Sequence, residues 1–310
     1  MDGPPGDGSP GRPTLRHRIE HLLFRAFAGA VGLLPEAPAL RLGEWVGVGW
    51  AVGAVLRLRR RDVDRHLGWA FPERPSRWRR RVARACFRHL GREAVAMVRL
   101  ADLDEETVRE RTAVRGLEAL RRALEAGRGA VIVTGHLGNW EVGGAALACR
   151  GVALDVVALR QGNPLFDRAV VGTRERLGMR VIYKAAASRE ALRSLRRGRA
   201  VALVGDQNPI SGGIEVPFFG RAANTPRGPA VLALRTGAPL FVAIVIRERR
   251  GSVTHLLSLE PVPGVRSGDT GRDVRRLVEA YTRRLEEAVR RNPEQYFWHH
   301  RRWKERNRPV

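Results

Sequence analysis

The stretch Ala130-Val131-Ile132-Val133-Thr134-Gly135-His136-Leu137-Gly138-Asn139-Trp140-Glu141 decides the fold, because it passes from an apolar run through a glycine-flanked turn into a helix start. The apolar run bounded by turn chemistry predicts a strand. Gly-His-Leu-Gly reads as the turn, Asn139 as the helix N-cap and Glu141 as a first-turn residue whose charge the helix dipole favours. A base and a carboxylate thus fall five positions apart at a strand end. An imidazole, with an ordinary pKa of about 6.5, can take a proton from a hydroxyl and return it to a leaving group at neutral pH. Five residues along a continuous helix rotate a side chain by roughly 140°, so the two cooperate best across the boundary, where Glu141 orients His136 and stabilises its imidazolium. A histidine simply satisfied in a loop is the competing reading, and spacing alone does not separate them.

Outward from this stretch, strands and helices alternate beyond about residue 110, which is how an α/β layer architecture appears in sequence. Helices are expected at Leu117 to Ala126, Asn139 to Cys149, Pro164 to Leu177 and Ser188 to Arg197. Strands are expected at Ala130 to Thr134, Ala153 to Leu159, Arg180 to Tyr183, Ala200 to Val204, Leu240 to Ile246 and Val253 to Leu259. Gly213-Ile214-Glu215-Val216 reads as a short strand, and Thr225-Pro226 as a cap and N1 proline opening a helix to Arg235. From Arg272 to Arg291 the residues Val274, Leu277, Val278, Tyr281, Leu285, Ala288 and Val289 recur at helical spacing, the mark of an amphipathic helix on the sheet.

Composition narrows the class. With 310 residues, 44% of them hydrophobic, the chain can bury a large core. Lys+Arg of 56 against Asp+Glu of 32 gives +24, a charge that attracts phosphate-rich or acidic partners. Residues 57 to 92 hold thirteen arginines interleaved with Trp69, Phe71 and Trp78. Nucleic-acid proteins mix these residue types too, but no zinc-ligand spacing, RNP-like strand or recognition-helix signature accompanies them, so an anionic lipid surface is the expected partner rather than nucleic acid. Cys86 and Cys149 form neither a Cys-x-x-Cys pair nor a disulfide framework, which fits a reducing compartment.

The first fourteen residues, rich in Gly, Pro and Asp, read as a disordered tail and not as a signal peptide. Leu22 to Leu34 and Leu42 to Leu56 are apolar but interrupted by charge and glycine, and both fall short of the roughly 20 residues a membrane-crossing helix needs. They are expected to be interfacial or shallowly inserted helices, or helices packed on the rest of the chain. Residues 15–105 are therefore expected to form a helical, membrane-associated region, and residues 106–310 an α/β domain, separate from that region or one continuous unit with it.

Several segments occur in a set order: His136 to Glu141; Leu159-Arg160-Gln161-Gly162-Asn163-Pro164-Leu165-Phe166-Asp167; Val204-Gly205-Asp206-Gln207-Asn208; Pro217-Phe218-Phe219-Gly220 leading to Thr225-Pro226-Arg227-Gly228; and Tyr296-Phe297-Trp298-His299-His300-Arg301-Arg302. On these segments, roughly residues 15–305, the chain resembles the lysophospholipid acyltransferase superfamily and in particular the bacterial lipid A late acyltransferases. The resemblance implies a glycerolipid acyltransferase-like mixed sheet flanked by helices. It also implies acyl transfer from a thioester, carried by acyl carrier protein or coenzyme A, to a hydroxyl of a lipid A precursor or related glycolipid. Such an enzyme works at the cytoplasmic side of the inner membrane, and no cofactor or metal is expected.

Within that frame His136 is the expected general base and Glu141 its partner. Backbone N–H groups near Gly138 and Asn139, or an arginine, are expected to hold the oxyanion. The resemblance implies that Arg160, Asn163 and Arg174 line the groove, where guanidinium groups suit phosphate; as solvated arginines they need no function. Asp206, past a strand end, either orders its loop or meets substrate. Arg221 and Thr225 join the same substrate-binding set. Phe218 and Phe219 border an acyl slot in the family, although packing is the simpler reading. Glu215 departs from the family's apolar residue; it is read as an outward strand residue, with relatives that acylate phosphatidylinositol mannosides as the alternative. Trp298 and Trp303 suit a headgroup interface or a packed tail. The rival classes are a lysophospholipid acyltransferase, and a non-catalytic lipid or nucleic-acid binder. No Gly-x-Ser-x-Gly elbow points to an acyl-serine route.

Overall fold

The computed structural model describes residues 12–52, 57–209, 211–264 and 267–303. Four helices come first, α1 (Leu15–Leu33), α2 (Glu36–Val52), α3 (Arg57–Ala70) and α4 (Ser76–Leu100), with the short α5 (Glu105–Arg111) behind them. The alternating part follows: β1 (Thr112–Arg115), α6 (Leu117–Glu125), β2 (Ala130–Thr134), α7 (Trp140–Ala148), β3 (Leu154–Ala158), α8 (Pro164–Arg176), β4 (Met179–Tyr183), α9 (Ala187–Arg196) and β5 (Ala200–Val204). The hairpin β6 (Gly213–Phe218) and β7 (Arg221–Pro226) leads to α10 (Gly228–Thr236), β8 (Leu240–Arg250), β9 (Val253–Val262) and α11 (Thr270–Arg291).

Seven strands form one sheet in the order β1-β9-β8-β2-β5-β3-β4, parallel throughout except for the antiparallel β8–β9 pair. Helices cover both faces, as buried parallel strands require, and the side-chain alternation assigns each face its own core. Val131 and Val133 of β2 and Val242 of β8 pack with Leu277, Val278 and Leu285 of α11. Ala130, Ile132, Phe241 and Val245 point the other way, onto Leu120 of α6 and Ala145 of α7. Val63 and Leu67 of α3, Phe71 just after it, and Val82 and Phe87 of α4 join the first of these cores together with Phe218 and Val278, so those two helices share the interior of the sheet layer.

Most elements match their sequence reading within a residue or two, and the differences have identifiable causes. Thr225 and Pro226 do not open a helix; they close β7, opposite Ile214 and Gly213, where a missing N–H costs the ladder nothing. The helix starts at Gly228 with Pro229 in its first turn. β8 runs on through Arg247, whose charge disguises strand, and β1 has only four residues to signal itself. The tail 1–11 and the end of the second apolar stretch, residues 53–56, lie outside the described residues.

α2 and α4 cross on glycine. A Cβ on Gly91 would meet the Gly43 carbonyl oxygen at 2.0 Å, and one on Gly47 the Phe87 carbonyl oxygen at 2.2 Å, so any side chain there forces the helices apart. Glu44 of α2 pairs across the crossing with Arg88 and Arg92 of α4. Leu15, Ile19, Leu22 and Leu23 of α1 and Leu42, Trp45 and Val46 of α2 are left exposed. Among the described residues no helix is long and apolar enough to cross a membrane.

Candidate active site

β2 and β5 are neighbours in register, Thr134 opposite Val204, and each leaves the sheet through a glycine, Gly135 and Gly205. Gly205 N–H still donates to the Thr134 carbonyl at 2.8 Å. The residues two places beyond the paired ends, His136 and Asp206, therefore emerge side by side at the carboxyl edge of the sheet, where open α/β sheets bind ligands.

Asp206 grips the loop twice. One carboxylate oxygen accepts the His136 backbone N–H at 2.8 Å, and the other lies 2.7 Å from the imidazole Nδ1. The carboxylate is buried; burial favours its neutral form, but electrostatic attraction to the His136 ring and the hydrogen bonds from His136 outweigh that and hold its pKa below the ordinary aspartate value. An ionised carboxylate accepts only, so Nδ1 is the nitrogen that donates to Asp206. Nε2 lies 3.1 Å from the Gln207 amide nitrogen, which donates to it. The Trp140 ring packs edge-on to the imidazole, with centroids 4.5 Å apart.

The carboxylate on the imidazole is thus Asp206, and not Glu141 as its position in the sequence suggested. Glu141 faces Arg174 of α8, which donates to both its oxygens at 2.9 and 2.6 Å, and takes a further bond from Trp140 Nε1 at 3.1 Å. The reason is helical geometry. Asn139 starts a new helix, so the first turn of α7 swings the carboxylate toward α8 while the histidine stays in the turn facing β5.

A cavity of about 880 Å³ opens at this edge, within the usual size range of ligand sites. His136, Glu141, Arg174 and Gln207 stand on its wall, and Ile132, Leu147, Leu154, Met179 and Leu257 line its apolar interior. Two glycines of α7 make the room. A Cβ on Gly144 would sit 2.8 Å from the Met179 sulfur, and one on Gly143 2.4 Å from Val245 Cγ2. Phe166 of α8 borders the same space and packs edge-on against Phe24 of α1 at 5.0 Å.

The remaining sequence candidates divide between support and surface. Gly138 has φ +63°, and its N–H donates to the Gln295 carbonyl at 3.0 Å, so it is not a free oxyanion donor. Asn139 is buried, caps α7 through Val142 N–H and donates to Glu93. Asn163 caps α8 and donates to the His17 carbonyl and Glu20 of α1. Arg160 lies over the Tyr183 ring at 3.9 Å and pairs with Asp167. Phe218 and Phe219 are buried among Phe71, Tyr296, Trp298 and Trp303, away from the cavity wall, so they pack and do not border an acyl slot. Arg221 stacks on Trp69 at 4.7 Å. Thr225 is buried and bonded to Ala223 and Arg302. Glu215 is exposed on β6, opposite Asn224 of β7, and its backbone carbonyl accepts from Arg275. Trp298 and Trp303 are core residues and offer no headgroup surface.

Sequence reasoning passed over Gln207, Trp140 and Glu93. Glu93 carried a signal: Val82, Cys86, Glu93 and Leu100 share the buried face of α4, so a carboxylate interrupts an apolar stripe. Among the described residues, no group of three or more His, Cys, Asp or Glu side chains is placed to hold a metal ion.

Residues 10–305 match the family model described as bacterial lipid A biosynthesis acyltransferase. The chain belongs to that family. It is 34% identical over 165 residues to a phosphatidylinositol mannoside acyltransferase of Mycolicibacterium smegmatis, a match covering 52% of this chain and 53% of the relative. The chain thus spans about half the length of such relatives. It is 29% identical over 276 residues to the lipid A biosynthesis palmitoleoyltransferase of Escherichia coli, covering 85% of each. The E. coli lauroyltransferase is 26% identical over 283 residues, 89% of each chain.

Proposed function

We propose that the protein transfers a fatty acyl chain from a thioester to a sugar hydroxyl of an anionic glycolipid, with His136 as general base. The observation that carries this reading is an imidazole whose Nδ1 is held by a buried carboxylate and whose Nε2, met by the Gln207 amide nitrogen, stands on the wall of an apolar cavity of about 880 Å³. The acceptor hydroxyl displaces the Gln207 amide from Nε2, gives up its proton there and attacks the thioester carbonyl. Asp206 steadies the resulting imidazolium, as the acid of a catalytic triad does. The tetrahedral adduct then collapses with cleavage of the C–S bond and the proton passes to the departing thiolate; because the acceptor hydroxyl attacks the thioester directly, no covalent acyl-enzyme forms. Arg174, fixed by Glu141, faces the developing oxyanion and stabilises its charge.

The apolar interior takes the acyl chain. The exposed leucines of α1 with Trp45 of α2 enter the lipid interface, while the arginines of α4 meet anionic headgroups. Lipid A precursors and phosphatidylinositol mannosides share the features this arrangement recognises, namely sugar hydroxyls, negative charge and acyl chains; acyl carrier protein and coenzyme A share the thioester arm. Mass spectrometry of glycolipids from cells with and without the chain tests the reading. A species heavier by one acyl group, present only with the chain, is expected; identical glycolipid profiles would overturn it.

A further inference from the structure

Glu93 is a buried carboxylate that reaches the turn after His136 from the helical layer. It lies on α4, 5% exposed. Its Oε2 accepts the Asn139 amide at 2.9 Å, His255 Nε2 at 3.1 Å and Arg247 Nη2 at 3.2 Å, while Oε1 pairs with Arg247 Nε. His89, one turn earlier on α4, stands 3.7 Å away.

These bonds belong to a closed ring. Arg247 gives its guanidinium to Glu93, and its backbone N–H and carbonyl are both held by the Gln295 side chain, at 2.8 and 3.1 Å. The Gln295 carbonyl accepts the Gly138 N–H, and Asn139, the next residue, returns to Glu93. Enclosed by this ring is the turn that separates His136 from α7. The turn has no slack, because Gly138 approaches the Val245 carbonyl so closely that a Cβ would meet it at 1.9 Å.

The chemistry of the Asn139 amide gives Glu93 a directional role. Asn139 Oδ1 must accept Val142 N–H to cap α7, and this requires the amide NH₂ to point the other way. A carboxylate accepts only, so Glu93 selects that orientation, whereas a neutral amide would allow either. Arg247 and His255 keep the carboxylate charged despite its burial, since an unpaired buried charge would be costly. Trp140, packed on the imidazole, and Glu141, clamped on Arg174, are the next two residues of the same turn.

We infer that Glu93 is a positioning residue: through Asn139 it sets the first turn of α7, and with it the placement of His136, Trp140 and Arg174 around the cavity. This rests on the reading of His136 as the base. It also makes the helical layer that bears the exposed apolar surface a structural part of the catalytic geometry.

The test is a reciprocal exchange in the full chain, assayed with a long-chain acyl-CoA and the glycolipid whose mass gap the wild-type chain fills. Glu93→Gln removes the charge, and Asn139→Asp keeps a good N-cap but sets two carboxylates against each other. Each is expected to lower kcat about tenfold or more with donor KM within about threefold, the pattern of lost alignment and not of lost binding. The double variant restores one amide facing one carboxylate but leaves Arg247 and His255 facing an amide, so kcat is expected to recover part of the loss, rising above that of the worse single variant. Wild-type kcat in either folded single variant, or a double variant no better than the worse single, overturns the inference. If a single variant fails to fold, Glu93→Asp decides, because it keeps the charge and withdraws the acceptor; unchanged kcat there has the same meaning. His136→Ala in the same assay separates the two claims: turnover by that variant refutes the base, whereas its silence beside fully active Glu93 variants refutes only the positioning role.

Discussion

At the scale of single residues, the site rests on which carboxylate touches the imidazole. Asp206 does so by strand register and Glu141 does not, so the two make different contributions despite the closeness of Glu141 in the chain. Asp206→Asn weakens the acceptor on Nδ1 and frees the imidazole to adopt the wrong tautomer, at an expected cost of about 10²- to 10⁴-fold in kcat. Glu141→Gln leaves the base intact and loosens only Arg174, an expected loss of roughly tenfold. Steady-state kinetics of the two folded variants checks the order; a greater loss in Glu141→Gln would return Glu141 to the imidazole. The histidine was legible from its position after a strand. Its partner was not, because residues 70 apart meet only once β2 and β5 are known to be neighbours.

Two half-buried histidines add a dependence on acidity. Burial pushes His89 and His300 down to about 4 each, so both are neutral in the fold at pH 5 while their unfolded counterparts, at about 6.5, are protonated. The unfolded chain therefore binds more protons between these values, and stability falls as pH drops from about 6.5 to about 4. The urea midpoint is expected to be lower at pH 5 than at pH 7.5; an unchanged midpoint would mean that neither ring is held neutral.

Among the elements, α7 shapes the cavity through its two glycines, which leave space where any other residue would place a methyl. Gly144→Ala introduces a Cβ against the Met179 sulfur, the movable part of a flexible side chain, while improving helix propensity. The fold is expected to survive with a shortened pocket. At roughly 0.8 kcal/mol per methylene, the kcat/KM ratio of a sixteen- to a fourteen-carbon donor should fall several-fold, and an unchanged ratio would place the chain elsewhere. Helices and strands in this part were legible because apolar periodicity set them, as in β2 and α11. The start of α10 was misread because Thr225-Pro226-Arg227-Gly228-Pro229 offers two prolines, and only burial of Thr225 against Arg302 distinguishes strand end from helix cap.

Across the whole molecule, apolar and cationic surfaces lie on the same helical layer. Leu22 and Leu23 of α1 and Trp45 of α2 are exposed, Trp45 by 75%. Arg77, Arg80, Arg81 and Arg84 follow one another at helical spacing along α4. Each leucine entering lipid contributes about 1.5–3 kcal/mol, so replacing Leu22, Leu23 and Trp45 with serine is expected to reduce sedimentation with anionic vesicles at least tenfold at physiological salt. Unchanged binding that disappears in high salt would assign attachment to charge alone. This layer was visible in sequence as two interrupted apolar stretches. Its union with the sheet through Glu93 was not, because the contacts of a lone glutamate on an apolar stripe depend on distant strands.

The most direct measurement is acyl transfer itself, followed with a radiolabelled long-chain thioester and the acceptor glycolipid, comparing the wild-type chain with His136→Ala. A general base contributes roughly 10²- to 10⁴-fold, so the folded variant is expected to lose at least 99% of the wild-type rate while still binding vesicles. Transfer by His136→Ala at a rate near wild type would contradict the assignment of His136 as the base.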